Sequence, residues 1–434
     1  MNDESSPSDG VFSVRSRRAS RQAIGFLMQQ GIENRSCLSL AAGFVDESSL
    51  PLAECLEAAT AVLSNTSRGR GALQYGTTQG DEGFRNGLLA HLARLEGRTV
   101  EQLGIRADRL VVTTGSQQLL ALVADALFDP GDICLVAMPT YFVFLGVLDG
   151  VGARTIGVEA DENGMRMDAL AATLTDLEQR GELDRVKLIY LVTDFENPSG
   201  VCLADDRRSD VLRLAQQYSR QNPIYILEDA AYRELRYDGQ PISSIWSRPG
   251  GDERVILAMT FSKSFSPGVR TGFGVLPRPL MTPVCNLKGN LDFGSSQWNQ
   301  SLLTHVLLSG AYMTHLEQVK SSYRTKRDAL LRAADEFLSD IPGVTWLRPE
   351  GRLYVWLSLP EHIETGFASP LFQIATRQHG VMYVPGELCF PSGQEHTHAH
   401  QMRLSFGVLP PHDLREGIRR LSGAIRDVLK SAEA

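Results

Sequence analysis

Paired cysteines are missing from this chain of 434 residues. Its six cysteines, at positions 37, 55, 134, 202, 285 and 389, show no CxxC spacing and no clustering, which argues against a zinc knuckle and against a disulfide framework. No stretch approaches the roughly 20 apolar residues of a membrane-spanning helix. Long basic runs are absent too, and the net charge of -8 removes any overall attraction to nucleic acid or to an anionic membrane. The segment Arg15 to Arg21 is short and mixed with serine, so it reads as a solvated arm. The opening MNDESSPSDG is acidic and polar where a secretory leader carries a positive charge and then an apolar run, so a cytoplasmic location is expected. What the chain does have, 43% hydrophobic and 22% charged residues, suits a globular protein with a sizeable core and two or three domains.

Between Leu110 and Leu276, short runs rich in valine and isoleucine alternate with turns and longer amphipathic stretches. That alternation predicts an α/β architecture. The predicted strands are Leu110 to Val112, Ile133 to Ala137, Lys187 to Val192, Ile224 to Leu227, Val255 to Met259 and Thr271 to Val275. Runs this continuously apolar suit strands covered on both faces. From Tyr312 to Leu338 the apolar positions Leu316, Val319, Tyr323, Leu330, Ala334 and Phe337 recur at helical spacing, and Pro342 and Gly343 close the run. This long helix is expected to lead into a second domain with a strand at Leu353 to Leu357. A final helix after Pro411 would place Leu414, Ile418, Leu421, Ile425 and Val428 on one face, with the terminal SAEA fraying.

The chemistry-bearing run is Thr260-Phe-Ser-Lys-Ser-Phe-Ser-Pro-Gly-Val-Arg270, directly after the apolar strand VILAM. A residue at the carboxyl end of a buried strand sits where open α/β sheets bind ligands. Around Lys263, the hydroxyls of Thr260 and Ser262 and the guanidinium of Arg270 form a set suited to a phosphate dianion beside an amine. In VVTTGSQQLL a strand runs into a helix at Ser116 and Gln117, where free amides and the helix dipole favour an anion.

The segment SKSFSPGVR resembles the lysine motif of fold-type I pyridoxal phosphate enzymes, specifically aminotransferase classes I and II. That resemblance implies that Lys263 forms a Schiff base with pyridoxal 5'-phosphate and that Arg270, Ser116, Gln117, Thr260 and Ser262 hold the phosphate. It further implies that Tyr141 of MPTY stacks on the pyridine ring, and that Asn197 of NPSG and Tyr232 contact the phenolic oxygen. Asp229 would pair with the pyridine nitrogen and keep it protonated, which makes the ring an electron sink. Arg403, in HQMRLSFG, would bind the substrate α-carboxylate in a bidentate pair, with Asn197 and the backbone at Gly43 lining the substrate pocket. Tyr75, in LQYGTTQG, would reach the phosphate in a neighbouring subunit, which implies at least a homodimer.

The fold implied is a large domain with a mostly parallel, seven-stranded-type sheet between helices, and a smaller α+β domain. The expected layout is a disordered or extended arm over 1–20, an N-terminal segment over 21–70 that contributes to the small domain and the active site, a large cofactor domain over 71–311, and a long linking helix with the small domain over 312–434. The implied reaction transfers the amino group of an α-amino acid to a 2-oxo acid through pyridoxamine phosphate. Within the family the chain looks most like the aminoadipate, kynurenine and aromatic group. A different reaction on the same scaffold, a lyase, decarboxylase or oxidative enzyme, is the alternative. A cofactor-binding regulator is the third reading, and the roughly 35 residues before the first family segment are too few for its DNA-binding helix pair.

Two features depart from the pattern or stand outside it. Where the family has paired glycines before an aromatic, this chain reads Pro349-Glu-Gly-Arg352-Leu-Tyr354. A solvated or ion-paired arginine is the first expectation there, and recognition of an acidic substrate group the second. The run His396-Thr-His398-Ala-His400 invites a metal reading, but with Glu395 the only carboxylate close by it reads as an exposed loop, and no metal is expected.

Overall fold

The protein is described here by a computed structural model that covers residues 11–19, 25, 29, 36–41, 43–394 and 398–433. Eight strands build the main sheet: β1 (Leu110–Thr113), β2 (Ile133–Met138), β3 (Arg154–Asp161), β4 (Gly164–Met165), β5 (Val186–Val192), β6 (Tyr225–Asp229), β7 (Val255–Thr260) and β8 (Gly272–Val275). Their spatial order is β1-β8-β7-β6-β5-β2-β3-β4. From β7 across to β3 every pairing is parallel, while β8 runs antiparallel to both its neighbours. The eighth strand is the two-residue β4, paired antiparallel to β3. Without it the sheet is the expected seven-stranded one.

Each strand predicted from an apolar run is present, because β1, β5 to β8 and most of β2 are buried along their length. The unpredicted β3 is mostly half-buried, and its sequence RTIGVEAD lacks the apolar run that flagged the others. Helix α1 (Ser116–Leu127) follows β1, and α2 (Phe142–Val151) follows β2. At Gly272 a β-carbon would come within 2.6 Å of the Gly115 carbonyl carbon and the Ser116 nitrogen, so glycine there lets β8 pass directly beneath the start of α1.

Helix α3 (Ala311–Phe337) buries Leu316, Val319, Tyr323, Leu330 and Ala334. It packs against α4 (Pro411–Glu433), whose Leu414, Ile418, Leu421 and Ile425 are fully buried. The helix α4 thus runs through most of the terminal segment expected to fray; Ala434 lies outside the described residues. Along the chain between these two helices come β9 (Thr345–Trp346), β10 (Tyr354–Ser358), β11 (Val384–Pro385) and β12 (Gln401–Ser405), which form a four-stranded antiparallel sheet in the order β9-β10-β12-β11. Leu38–Ser39 pairs in parallel with Val381–Met382 in a separate two-stranded sheet just before β11, which ties the N-terminal segment to the C-terminal part of the chain.

The expected arm is partly helical. Val14–Ala19 forms a short helix, and Arg15 pairs with Asp125 at 2.8 Å, while residues 1–10 and 20 lie outside the described residues. Among the described residues no helix is long and apolar enough to cross a membrane.

Candidate active site

The carboxyl ends of β5, β6 and β7 deliver most of the predicted residues to one place. Lys263 follows β7, and its Nζ donates to the Gly43 carbonyl at 2.8 Å. Burial lowers the amine below the usual lysine range; Tyr354 opposes that, and Arg403, Arg352 and Arg270 add to it. An amine biased toward its neutral form is both a nucleophile and a base. Beneath it, the Tyr312 hydroxyl donates to Ser264 Oγ at 2.7 Å or to Glu234 at 2.8 Å, which anchors the loop after β7.

Asp229, the last residue of β6, is buried. Its carboxyl accepts from the Tyr190 hydroxyl at 3.0 Å and from the Ala231 amide at 3.2 Å. Burial nevertheless pushes it up to about 6, against those two hydrogen bonds and the charge of Arg352. Tyr190 was not singled out in the sequence. The available signal was a hydroxyl within the buried run KLIYLV, which needs a partner when desolvated.

The segment Asp194-Phe-Glu-Asn197 turns through a left-handed Phe195, φ 57°, so that Asp194 and Asn197 serve different neighbourhoods. Asn197 Oδ1 accepts from Arg403 Nη1 at 3.2 Å. Arg403, on β12, also donates to the Ala41 carbonyl at 3.2 Å, lies 4.1 Å from the Tyr354 ring centre, and is buried. It has no carboxylate partner among the described residues, and its Nε is unsatisfied.

Tyr354 is the hub that sequence reading passed over. Its hydroxyl lies where a β-carbon on Gly43 would meet it at 3.0 Å, and its ring meets Tyr232 edge-on at 6.4 Å. Burial alone would raise its phenol, but Arg403, Lys263 and Arg352 outweigh burial and bring it down to about 8. The Tyr141 phenol is held protonated, first by burial and then by the charge of Asp229, which puts Tyr141 beside the same carboxylate.

At the other end, Gly115 caps α1 at φ 73°, and a β-carbon on it would sit 3.0 Å from Arg270 Nη2. The Arg270 guanidinium therefore lies against the helix start that carries Ser116 and Gln117. Thr260 Oγ1 donates to Ser262 Oγ at 3.0 Å in the same loop. Arg270 is itself left-handed, φ 42°, so strained backbone clusters around this site at Phe195, Arg270 and Arg352.

Three expectations fare differently. Tyr75 is 87% exposed, its ring tilted against Phe293 at 6.4 Å between centres, and among the described residues no hydrogen bond or ring contact joins it to the cluster within this chain. Arg352 is neither solvated nor ion-paired: it is 0% exposed, because its left-handed backbone, φ 69°, turns the side chain inward over Tyr232 and Tyr354 at 4.5 and 4.3 Å. Of the histidine run, Glu395, His396 and Thr397 lie outside the described residues, and His398 is half-buried and stacked on Phe390 at 4.1 Å rather than in an exposed loop. Among the described residues no group of acidic, cysteine or histidine side chains is arranged to hold a metal.

Residues 35–421 match the family described as aminotransferase class I and II. The chain is 33% identical over 401 residues to aromatic-amino-acid aminotransferase 1 of Thermococcus litoralis, a match covering 92% of this chain and 90% of that protein. It superposes on the kynurenine aminotransferase of Pyrococcus horikoshii, solved with PMP, with a TM-score of 0.87 and 30% identity over 98% of both chains. An alpha-aminoadipate aminotransferase from Thermus thermophilus, complexed with N-(5'-phosphopyridoxyl)-L-leucine, gives a TM-score of 0.82 at 30% identity, covering 97% of this chain and 98% of the other.

Proposed function

Since the chain belongs to the class I and II aminotransferases, it is a pyridoxal-phosphate-dependent transaminase, and we propose that Lys263 is the residue that holds the cofactor and moves the proton. The observation that carries this is a desolvated Lys263 amine, bonded to the Gly43 carbonyl and within the field of an Arg403 that Asn197 holds and that has no carboxylate partner among the described residues.

The residues fit the cofactor. A buried carboxyl raised to about 6 with no cationic partner suits a protonated pyridine nitrogen at Asp229. The convergence of Arg270 on the start of α1 suits a phosphate, with Ser116, Gln117, Thr260 and Ser262 around it. Tyr141 would cover the ring face, and Asn197 and Tyr232 would contact the phenolic oxygen. When bound, pyridoxal phosphate withdraws electrons from the substrate's Cα and so acidifies its proton.

Arg403 grips the substrate α-carboxylate through Nε and one Nη, and Asn197 steadies the other side of the guanidinium. That grip orients the Cα–H bond toward Lys263. Lys263 Nζ then takes the Cα proton, a general-base role typically contributing roughly 10²–10⁴-fold. Gly43 receives the waiting amine through its carbonyl and leaves room for Tyr354.

Tyr75 is assigned to the phosphate of a neighbouring subunit, as part of a homodimer. The support is its exposure in the single chain together with exposed Leu52, Leu56, Leu73, Leu291 and Phe293. Six free cysteines suit a reducing compartment such as the cytoplasm.

Purified protein supplied with cofactor should absorb as a lysine-bound pyridoxal phosphate and exchange amino groups between an amino acid and a 2-oxo acid stoichiometrically. Lys263→Ala should abolish the band and lower turnover by at least roughly 10⁴-fold. Release of ammonia, carbon dioxide or peroxide in place of the new amino acid would reject transfer.

A further inference from the structure

Arg352 occupies a backbone position suited to glycine and is forced into it by its surroundings. Its amide donates to the Leu235 carbonyl at 2.9 Å, the Tyr237 hydroxyl donates to its carbonyl, and Gly351 bridges to Arg236. A β-carbon on Gly351 would lie 2.4 Å from both the Leu235 oxygen and the Phe195 ring, so the chain cannot shift there. A left-handed arginine held this way is costly and persists only where the surroundings over-determine it.

The side chain then runs entirely inside the protein. One nitrogen, Nη1, donates to the carbonyls of Phe195 and Glu196. Nε and Nη2 are buried and have no partner among the described residues. Among the described residues no carboxylate forms an ion pair with it, and Glu196 acts on it only from further off. The nearby Glu196 carboxyl is itself driven toward its neutral form by burial, against the opposing charge of Arg352, and its Oε1 is unpaired. A buried guanidinium with two unpartnered nitrogens and no ion pair is expensive unless an anion arrives.

Arg352 also shares its position with the carboxylate grip. Its guanidinium carbon and that of Arg403 both lie within 4.3 Å of the centre of the Tyr354 ring. The phosphate reading, by contrast, is carried by Arg270 and the start of α1.

We propose that Arg352 receives the second carboxylate of the substrate, so that the pocket is built for a dicarboxylic amino acid and its 2-oxo acid. This rests on the reading of Arg403 as the α-carboxylate anchor. A neutral substrate would leave Arg352 buried and unpaired, and the enzyme would discriminate against it for that reason.

The test uses cofactor-loaded enzyme and two unreactive probes, glutarate and pentanoate, followed both by calorimetric binding and by competition with transamination. Glutarate should bind at least about tenfold more tightly than pentanoate, and the ratio of kcat/KM for an acidic over a neutral amino acid should fall by about 30-fold or more in Arg352→Met. Arg352→Lys, which keeps the charge, should retain part of that preference. Equal binding of the two probes by the unaltered enzyme overturns the inference without recourse to any variant. A preference that persists undiminished in a folded Arg352→Met or Arg352→Gln also overturns it. Protein that exchanges no amino group at all overturns the reading of function and this inference with it, whereas exchange with equal probe binding overturns the inference alone.

Discussion

Two fully buried arginines less than a loop apart have opposite surroundings. Arg208 sits behind the Asp194-to-Asn197 segment and uses every nitrogen. Nε donates to Leu203 at 3.1 Å, Nη2 to Thr193 at 2.9 Å, and Nη1 to Ser243 at 3.2 Å; Asp194 stands at 3.1 Å and Glu228 at 3.7 Å. Arg352 sits in front of the same segment with two nitrogens unused and no carboxylate. Both are desolvated, yet the carboxylates beside Arg208 raise it above the usual arginine range, while burial leaves Arg352 below it. Closed charge is architecture: it stabilises one arrangement of the loop and offers nothing to a ligand. Open charge is capacity, and Arg352 and Arg403 supply it beside Tyr354.

This contrast can be broken by experiment. Arg208→Met should cost about 3–5 kcal/mol in unfolding free energy, because it leaves buried Glu228 without an ion pair and buried Asp194 with Arg236 alone. Denaturant midpoints would report it; a cost under about 1 kcal/mol would mean the network is not closed in solution. Arg352→Met should cost less than about 2 kcal/mol in the same measurement, since only main-chain carbonyls lose a partner. If the two variants lose equal stability, the distinction between closed and open charge collapses. The smallest effect concerns Asp229. Its carboxyl, raised by burial to about 6, is charged above that pH and neutral below it. Affinity of the cofactor-free protein for pyridoxal phosphate should therefore weaken as pH falls through 6, by up to about tenfold per unit. Cofactor titrations at several pH values would show this, and Asp229→Asn should flatten the dependence.

The same contrast separates what could be read early from what could not. Lys263, Asp229 and Asn197 each end an apolar strand or follow one closely, so local pattern and motif pointed at them directly. Tyr190 and Tyr354 are ordinary tyrosines in apolar strands, and nothing in their neighbourhoods says that one will face Asp229 and the other Lys263. The strand β3 was missed because its half-buried residues carry little apolar signal. Arg352 was misjudged because arginines are usually solvated, and its burial depends on Gly351, Leu235 and Phe195, which meet it only after folding.

By itself the sequence determined the family, the order of the α/β elements and the lysine-centred motif, because strand periodicity and turn chemistry act over a few residues. The pairing of buried charges was decided by tertiary structure alone. Asn197 and Arg403 are 206 positions apart, and Ala41 and Arg403 are 362 apart. Whether a buried arginine is closed like Arg208 or open like Arg352 depends on which distant carboxylates arrive beside it, and no local spacing encodes that.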